Sequence, residues 1–127
     1  TTWAPHEWLF PRCCAIVMHG GANTTAAALR SGRPTVVTPI AHDQFSWADQ
    51  VVLKRVGVRT GPIHSVTALE LADKLEECES ETMAKACQNL ADLLRAEDGV
   101  GNAVKVLDAY MRAGLPRGTA VDHPTRR

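Results

Sequence analysis

Short apolar runs along the first half of the chain predict three strands. Cys14–Met18 is an apolar run that ends at a pair of glycines, a pattern typical of a buried strand. Thr35–Thr38 holds only Thr and Val and is followed by Pro39, which predicts a second buried strand. The segment "VRTG" at 58–61 predicts a short third strand before a Gly-Pro turn.

Apolar residues at helical spacing predict amphipathic helices between and after these strands. The first helix is predicted to begin at Asn23 or Thr24, since either side chain can cap it, and to end near Arg30 before Gly32 and Pro34. Further helices are predicted over Gln44–Arg55, from the capping box Thr67–Glu70 to Glu77, over Ser80–Ala96, and, after a break at Gly99 and Gly101, over Asn102–Arg112.

The two ends of the chain differ from this pattern. Residues 1–12 are aromatic and contain two prolines, which predicts a loop with at most one helical turn around Glu7–Phe10. Residues 113–127 are rich in Pro, Gly and charge, and we expect them to form a disordered tail.

The order strand, loop, helix predicts an α/β domain with a partial Rossmann-like parallel sheet, flanking helices and a helical carboxyl-terminal part. Parallel sheets of this kind bind ligands at the carboxyl ends of their strands. The loops at 19–25 and 39–44 both follow predicted strands, so we expect both at this edge.

Net charge and cysteine spacing narrow the possible partners and the cellular location of the protein. The 127 residues carry a formal net charge of zero, which argues against nucleic acid as a partner. The cysteines Cys13, Cys14, Cys78 and Cys87 form no CxxC pair, so we expect free thiols in a reducing compartment. The predicted location is therefore cytoplasmic, and attachment at a membrane periphery through other parts of a longer protein stays open.

The first loop, "HGGANTT" at 19–25, has the chemistry of an anion site. Glycines allow a ligand to approach the backbone, and the following helix offers free N–H groups with partial positive charge. His19, Thr24 and Thr25 add side-chain donors. The segment matches neither the P-loop nor the GxGxxG fingerprint, so phosphate binding and a plain strand–helix turn both stay open.

The second loop, "PIAHDQ" at 39–44, places a carboxylate and an amide at the start of a helix. Asp43 is a good N-cap, and this structural interpretation is favoured by the residues alone. Alternatively, Asp43 and Gln44 provide the carboxylate and amide that recognise sugar hydroxyls.

The segment from "WAPHEWLFPR" through "HGGANTT" to "GRPTVVTPIAHDQ" resembles the nucleotide-sugar-binding, carboxyl-terminal domain of GT-B UDP-glycosyltransferases. Within them it is most similar to sterol and lipid glucosyltransferases. The similarity is close over residues 3–60 and loose to about 111. It implies that residues 1–112 are a segment of the donor-binding domain.

The resemblance implies three groups of donor-binding residues, and for Asp43 it favours sugar binding over capping. They are Trp3 and His6 at the uracil, His19, Gly21, Ala22, Asn23 and Thr24 at the diphosphate, and Asp43 and Gln44 at the hydroxyls of the transferred sugar.

The chain departs from the family pattern at several positions. Met18 replaces the first of a histidine pair, and we expect its side chain to point into the sheet. Ala27 stands where plant relatives carry a glutamate for the ribose, so ribose recognition must come from elsewhere. Ala41 and His42 replace aromatic residues beside Asp43.

The resemblance implies an inverting glycosyltransferase that moves a hexose from UDP to a hydroxyl of a sterol or lipid-like acceptor. Glucose is the expected hexose. The UDP-sugar is then a substrate, and neither a cofactor nor a metal is expected. The catalytic base belongs to an amino-terminal acceptor domain, so no catalytic residue is expected in this chain. His42 and His64 are interpreted as ordinary loop histidines.

The alternatives are a split donor-binding subunit that needs a companion acceptor-domain chain, a homo-oligomer, or a protein that has lost catalysis.

Overall fold

A computed structural model describes residues 4–113 of the chain as a three-stranded parallel sheet surrounded by helices. The predicted α/β class and parallel sheet are confirmed, whereas Trp3 and the predicted tail from Gly114 lie outside the described residues. The elements are α1 (His6–Leu9), β1 (Ile16–Met18), α2 (Ala22–Ser31), β2 (Thr35–Val37), α3 (Gln44–Leu53), β3 (Gly57–Arg59), α4 (Ala68–Glu77), α5 (Glu81–Ala96) and α6 (Gly99–Arg112), with 3-10 helices at Phe10–Arg12 and Ile63–Ser65.

The strands lie in the order β1-β2-β3, and every pair is parallel. Val17 lies opposite Val36, which in turn lies opposite Val58. Since α2 connects β1 to β2 and α3 connects β2 to β3, the loops after β1 and β2 both leave the sheet at its carboxyl edge.

Alternate strand positions fill two apolar clusters on opposite faces of the sheet. Met18 is only 7% exposed and packs in the larger cluster, as predicted. Val36, Val58 and Cys78 form the smaller cluster. The larger cluster comprises Phe10, Ile16, Met18, Ala28, Val37, Ala48, Val51, Val56 and Cys87.

The start of α2 differs from the prediction. The helix begins at Ala22 with Gly21 as its N-cap in extended backbone, and no side chain caps it. The prediction of Asn23 or Thr24 as the cap is therefore wrong, since both residues already lie in the first helical turn. The amide of Thr25 donates to the carbonyl oxygen of Gly21 at 2.9 Å, which closes that turn.

The capping box before α4 is confirmed on one side only. The hydroxyl of Thr67 accepts from the amide of Glu70 at 3.1 Å. The Glu70 carboxylate accepts instead from the amide of Gly61 at 2.9 Å. It therefore ties the loop after β3 to the start of α4.

Residues up to Ala96 form one compact unit, and α6 belongs to a second unit that begins at Glu97. The chain breaks between α5 and α6 at 97–98, and not at Gly99 and Gly101, which both lie in α6. Asp98 caps α6 by accepting from the amide of Gly101 at 2.9 Å. No helix within residues 4–113 has the length and apolarity needed to span a bilayer.

Candidate ligand-binding site

The loops after β1 and β2 meet at Gly20. This residue is buried and has a φ of +89°. A Cβ atom at this position would lie 2.7 Å from Cγ1 of Val37 and 3.1 Å from the carbonyl oxygen of Gln44. The backbone of the first loop therefore packs directly on the end of β2 and the start of α3, and the two loops share one edge, as predicted.

The first turn of α2 is open to a ligand. No side chain among the described residues caps this helix, so its first-turn amides keep their partial positive charge and donor capacity. Ala22 and Asn23 are exposed, and Thr24 is partly exposed. Thr25 is fully buried, so the expectation of a ligand-facing hydroxyl at Thr25 is wrong.

The imidazole of His19 folds over this helix start. A Cβ atom on Gly21 would lie 2.5 Å from Nε2 of His19, so the ring occupies the space above the glycine. His19 is exposed, although it follows β1 directly. The imidazole and the first-turn amides of α2 thus face one small region, which suits an anion.

Asp43 and Gln44 use their side chains differently from a simple helix cap. Asp43 occupies the N-cap position of α3, yet its carboxylate accepts from no backbone amide there. Oδ2 accepts instead from Nε1 of Trp47 at 3.1 Å. Asp43 is therefore the N-cap residue by position, as the residues alone predicted, but its side chain does not cap the helix, because the indole donor takes the place of the helix amides as its partner.

Gln44 fastens the loop that precedes it. Its Oε1 accepts from the amides of Ile40 at 2.7 Å and Ala41 at 3.1 Å. Both acceptor directions of the amide oxygen are then used, and the amide nitrogen keeps its two donors for other partners. His42 sits between these residues with a φ of +56°, which turns the chain toward α3.

Two clefts separate α1 from α2. One, of about 340 Å³, has Glu7, Asn23, Ala27 and Arg30 in its lining. The other, of about 320 Å³, is lined by residues 4–7 and by Ala27. Glu7 and Ala27 line both clefts, and Asn23, in the first turn of α2, lines the first of them.

Glu7 lines both clefts, and the sequence analysis did not single it out: it lies within "WAPHEWLFPR", but the resemblance assigns roles there only to Trp3 and His6. His6 was predicted, and it lies beside Glu7 with its ring stacked on Phe10 at 4.5 Å between centroids. Trp3, its predicted companion at a base, is outside the described residues. Within residues 4–113, no group of three or more His, Cys, Asp or Glu side chains is placed to hold a metal ion.

The fold and these loops define an α/β domain with a candidate ligand site at the carboxyl edge of a parallel sheet. Residues 1–108 match the family described as "Erythromycin biosynthesis protein CIII-like, C-terminal domain". The chain belongs to this family.

Relatives support the same assignment. A sterol 3-beta-glucosyltransferase of Arabidopsis thaliana is 38% identical over 112 residues, which cover 88% of this chain and 18% of that protein. A sterol 3-beta-glucosyltransferase of Aspergillus fumigatus is 40% identical over 105 residues, 82% of this chain and 7% of that protein. The chain spans less than a fifth of the length of these relatives.

Solved structures have the same fold. The glycosyltransferase VinC, solved in complex with dTDP, superposes with a TM-score of 0.78 at 25% identity, over 90% of this chain and 29% of that one. The glycotransferase of kitacinnamycin superposes with a TM-score of 0.77 at 30% identity, over 84% of this chain and 28% of that one. The predicted carboxyl-terminal-domain fold of GT-B glycosyltransferases is thereby confirmed.

Proposed function

We propose that this chain is the donor-binding part of an inverting, UDP-sugar-dependent glycosyltransferase that moves glucose to a hydroxyl of a sterol or lipid-like acceptor. The observation that carries the proposal is the convergence of the two loops at Gly20, beside Gln44. It brings an anion cradle and a carboxylate–amide pair to one edge of the sheet. The sterol glucosyltransferase relatives support the nature of the sugar and of the acceptor.

The diphosphate binds at the start of α2 in this proposal. The amides of Ala22, Asn23 and Thr24 donate to phosphate oxygens, and His19 donates from above Gly21. Negative charge develops on the departing diphosphate when the glycosyl bond breaks. Fixed donors stabilise that charge without solvent rearrangement, and we assign this work to α2 and His19 with the UDP-sugar as a substrate and with neither a cofactor nor a metal.

The transferred sugar binds at the start of α3. The Asp43 carboxylate accepts from a sugar hydroxyl, and the free amide nitrogen of Gln44 donates to a hydroxyl oxygen. An acceptor and a donor on adjacent residues match neighbouring hydroxyl groups on a hexose ring.

The nucleoside lies in the clefts between α1 and α2. The resemblance assigns His6 and Trp3 to the uracil. Glu7 lines both clefts beside Ala27, so its carboxylate is placed to accept from the ribose hydroxyls. In this proposal α1 recognises the ribose through Glu7, which the alanine at position 27 cannot do. The base that activates the acceptor, and the acceptor pocket, are assigned to an amino-terminal domain outside this chain.

Calorimetric titration of UDP and UDP-glucose into the folded chain tests the proposal. We expect saturable binding of both ligands, weakened about tenfold in His19→Ala because a hydrogen bond to a charged group is lost. His64→Ala is the matched control, since this exposed histidine lies in the separate 3-10 helix Ile63–Ser65. A wild-type chain that is folded by circular dichroism and binds neither ligand would contradict the proposal.

A further inference from the structure

Trp47 lies one helical turn after Asp43 and donates its indole N–H to that carboxylate. We propose that Trp47 is a positioning residue that fixes the orientation of Asp43 for sugar recognition. The inference rests on the proposed function, because it assigns Trp47 a role toward the same donor sugar.

The geometry joins the two residues twice. Nε1 of Trp47 lies 3.1 Å from Oδ2 of Asp43, and the backbone amide of Trp47 donates to the carbonyl oxygen of Asp43 at 3.0 Å. Residues four apart on a helix face the same side, so the indole meets the carboxylate without distortion. Asp43 is exposed and accepts no helix amide, so the indole is the contact that restricts its rotation.

The indole is itself held in place. Its ring lines an apolar cavity of about 170 Å³ together with Leu29 of α2, Val51 of α3 and Leu90 of α5. Trp47 is 36% exposed, so the side chain lies at the surface with part of its area covered. This partial cover and the hydrogen bond to Oδ2 together restrict the indole, and with it the Asp43 carboxylate.

The hydrogen bond from Trp47 also determines which acceptor and donor atoms Asp43 and Gln44 present to a ligand. With Oδ2 occupied by Trp47, Oδ1 of Asp43 remains to accept a hydrogen bond. With Oε1 occupied by two loop amides, only the nitrogen of the Gln44 amide remains, and it donates. The pair therefore presents the unoccupied Oδ1 of Asp43 as an acceptor beside the two N–H donors of the Gln44 amide, which is a stricter requirement on neighbouring hydroxyls than two freely rotating side chains would impose.

Calorimetry on five folded proteins tests this role: the wild type, Trp47→Phe, Asp43→Ala, the double variant of these two, and the control Trp8→Phe. Trp8 is an exposed tryptophan on α1 that packs on Arg12. Trp47→Phe keeps an aromatic ring and removes the N–H. We expect it to weaken UDP-glucose about three- to tenfold and UDP less than about twofold. Asp43→Ala should show the same selectivity, and the double variant should bind no more weakly than Asp43→Ala.

A second measurement uses the wild type. The Trp47 indole N–H signal in proton–nitrogen spectra, assigned by its loss in Trp47→Phe, should move on addition of UDP-glucose and stay in place with UDP. Equal weakening of both ligands in Trp47→Phe, or unchanged affinities there beside a selective loss in Asp43→Ala, would overturn the positioning role. A wild type that binds neither ligand would instead overturn the proposed function.

Discussion

A Cβ atom on Gly20 would lie 3.1 Å from the backbone carbonyl oxygen of Gln44, so the loop after β1 and the start of α3 pack at backbone distance. The same Cβ would approach a methyl group of Val37 to 2.7 Å, and the φ of +89° disfavours any side chain. The junction of the two loops therefore requires glycine for its space and for its backbone conformation.

Gly20→Ala should lower the free energy of unfolding by about 2 kcal/mol or more, since steric overlap adds to backbone strain. Urea unfolding followed by circular dichroism measures the change. Gly61→Ala is the control, because its φ is not positive and its Cβ would meet only the flexible side chains of Ser65, at 3.3 Å, and Glu70, at 3.8 Å. Equal stability of the two variants would contradict the tight junction.

Thr67→Ala should lower the free energy of unfolding by about 1 kcal/mol, because the amide of Glu70 loses its cap. Thr67→Ser keeps the hydroxyl and should retain most of the stability. Urea midpoints of the two variants decide the matter, and a loss of the same size in Thr67→Ser would show that the hydroxyl is not what stabilises the start of α4.

Stability should fall in alkaline solution because of Cys87. Burial, and next the neighbouring Cys78, raise the pKa of the Cys87 thiol from 9.0 to about 11 in the folded chain. Below pH 9.0 the thiol is protonated in both states and its contribution to stability is fully present. Above that value the unfolded chain ionises first, so the contribution is lost as the pH rises through about 11.

Urea unfolding at several pH values between about 8 and 11 should show this fall, and Cys87→Ala should reduce its slope. Some slope should remain, since burial, followed by the charge of Glu77, also raises the pKa of Cys78. An identical pH dependence in wild type and Cys87→Ala would contradict the assignment to Cys87.

Glu7→Ala should weaken UDP and UDP-glucose alike, by about tenfold, if Glu7 accepts from the ribose hydroxyls. Deoxyuridine diphosphate lacks one of these hydroxyls, so the variant should discriminate less than wild type between it and UDP. Calorimetry measures both quantities, with Glu76→Ala on the exposed side of α4 as control. A Glu7→Ala variant that keeps the wild-type discrimination would show that the carboxylate does not contact the ribose.

The strands and most helices were predictable because their apolar periods are local properties of the chain. The start of α2 was not, since the N-cap at Gly21 depends on Gly20 packing against residues more than fifteen positions away. The two loops were predictable as neighbours from strand order alone.

The contacts of the candidate site residues were harder to predict from the sequence. Asp43 is a good cap by residue type, and only the position of Trp47 on α3 reveals the competing indole donor. The segment around Glu7 carries the family resemblance, but nothing in it singles out Glu7, which lines a cleft together with Ala27 of another helix. Contacts between elements thus account for what the sequence left open.

The free thiols differ sharply in access, which makes the chain its own reporter of local opening. Cys14 is exposed, whereas Cys87 is 3% exposed and donates to the carbonyl oxygen of Val56 at 3.2 Å. An alkylating reagent can modify Cys14 at once but reaches Cys87 only when α5 separates from the chain before β3. The rate of that slower modification measures how often this packing opens, without any introduced label.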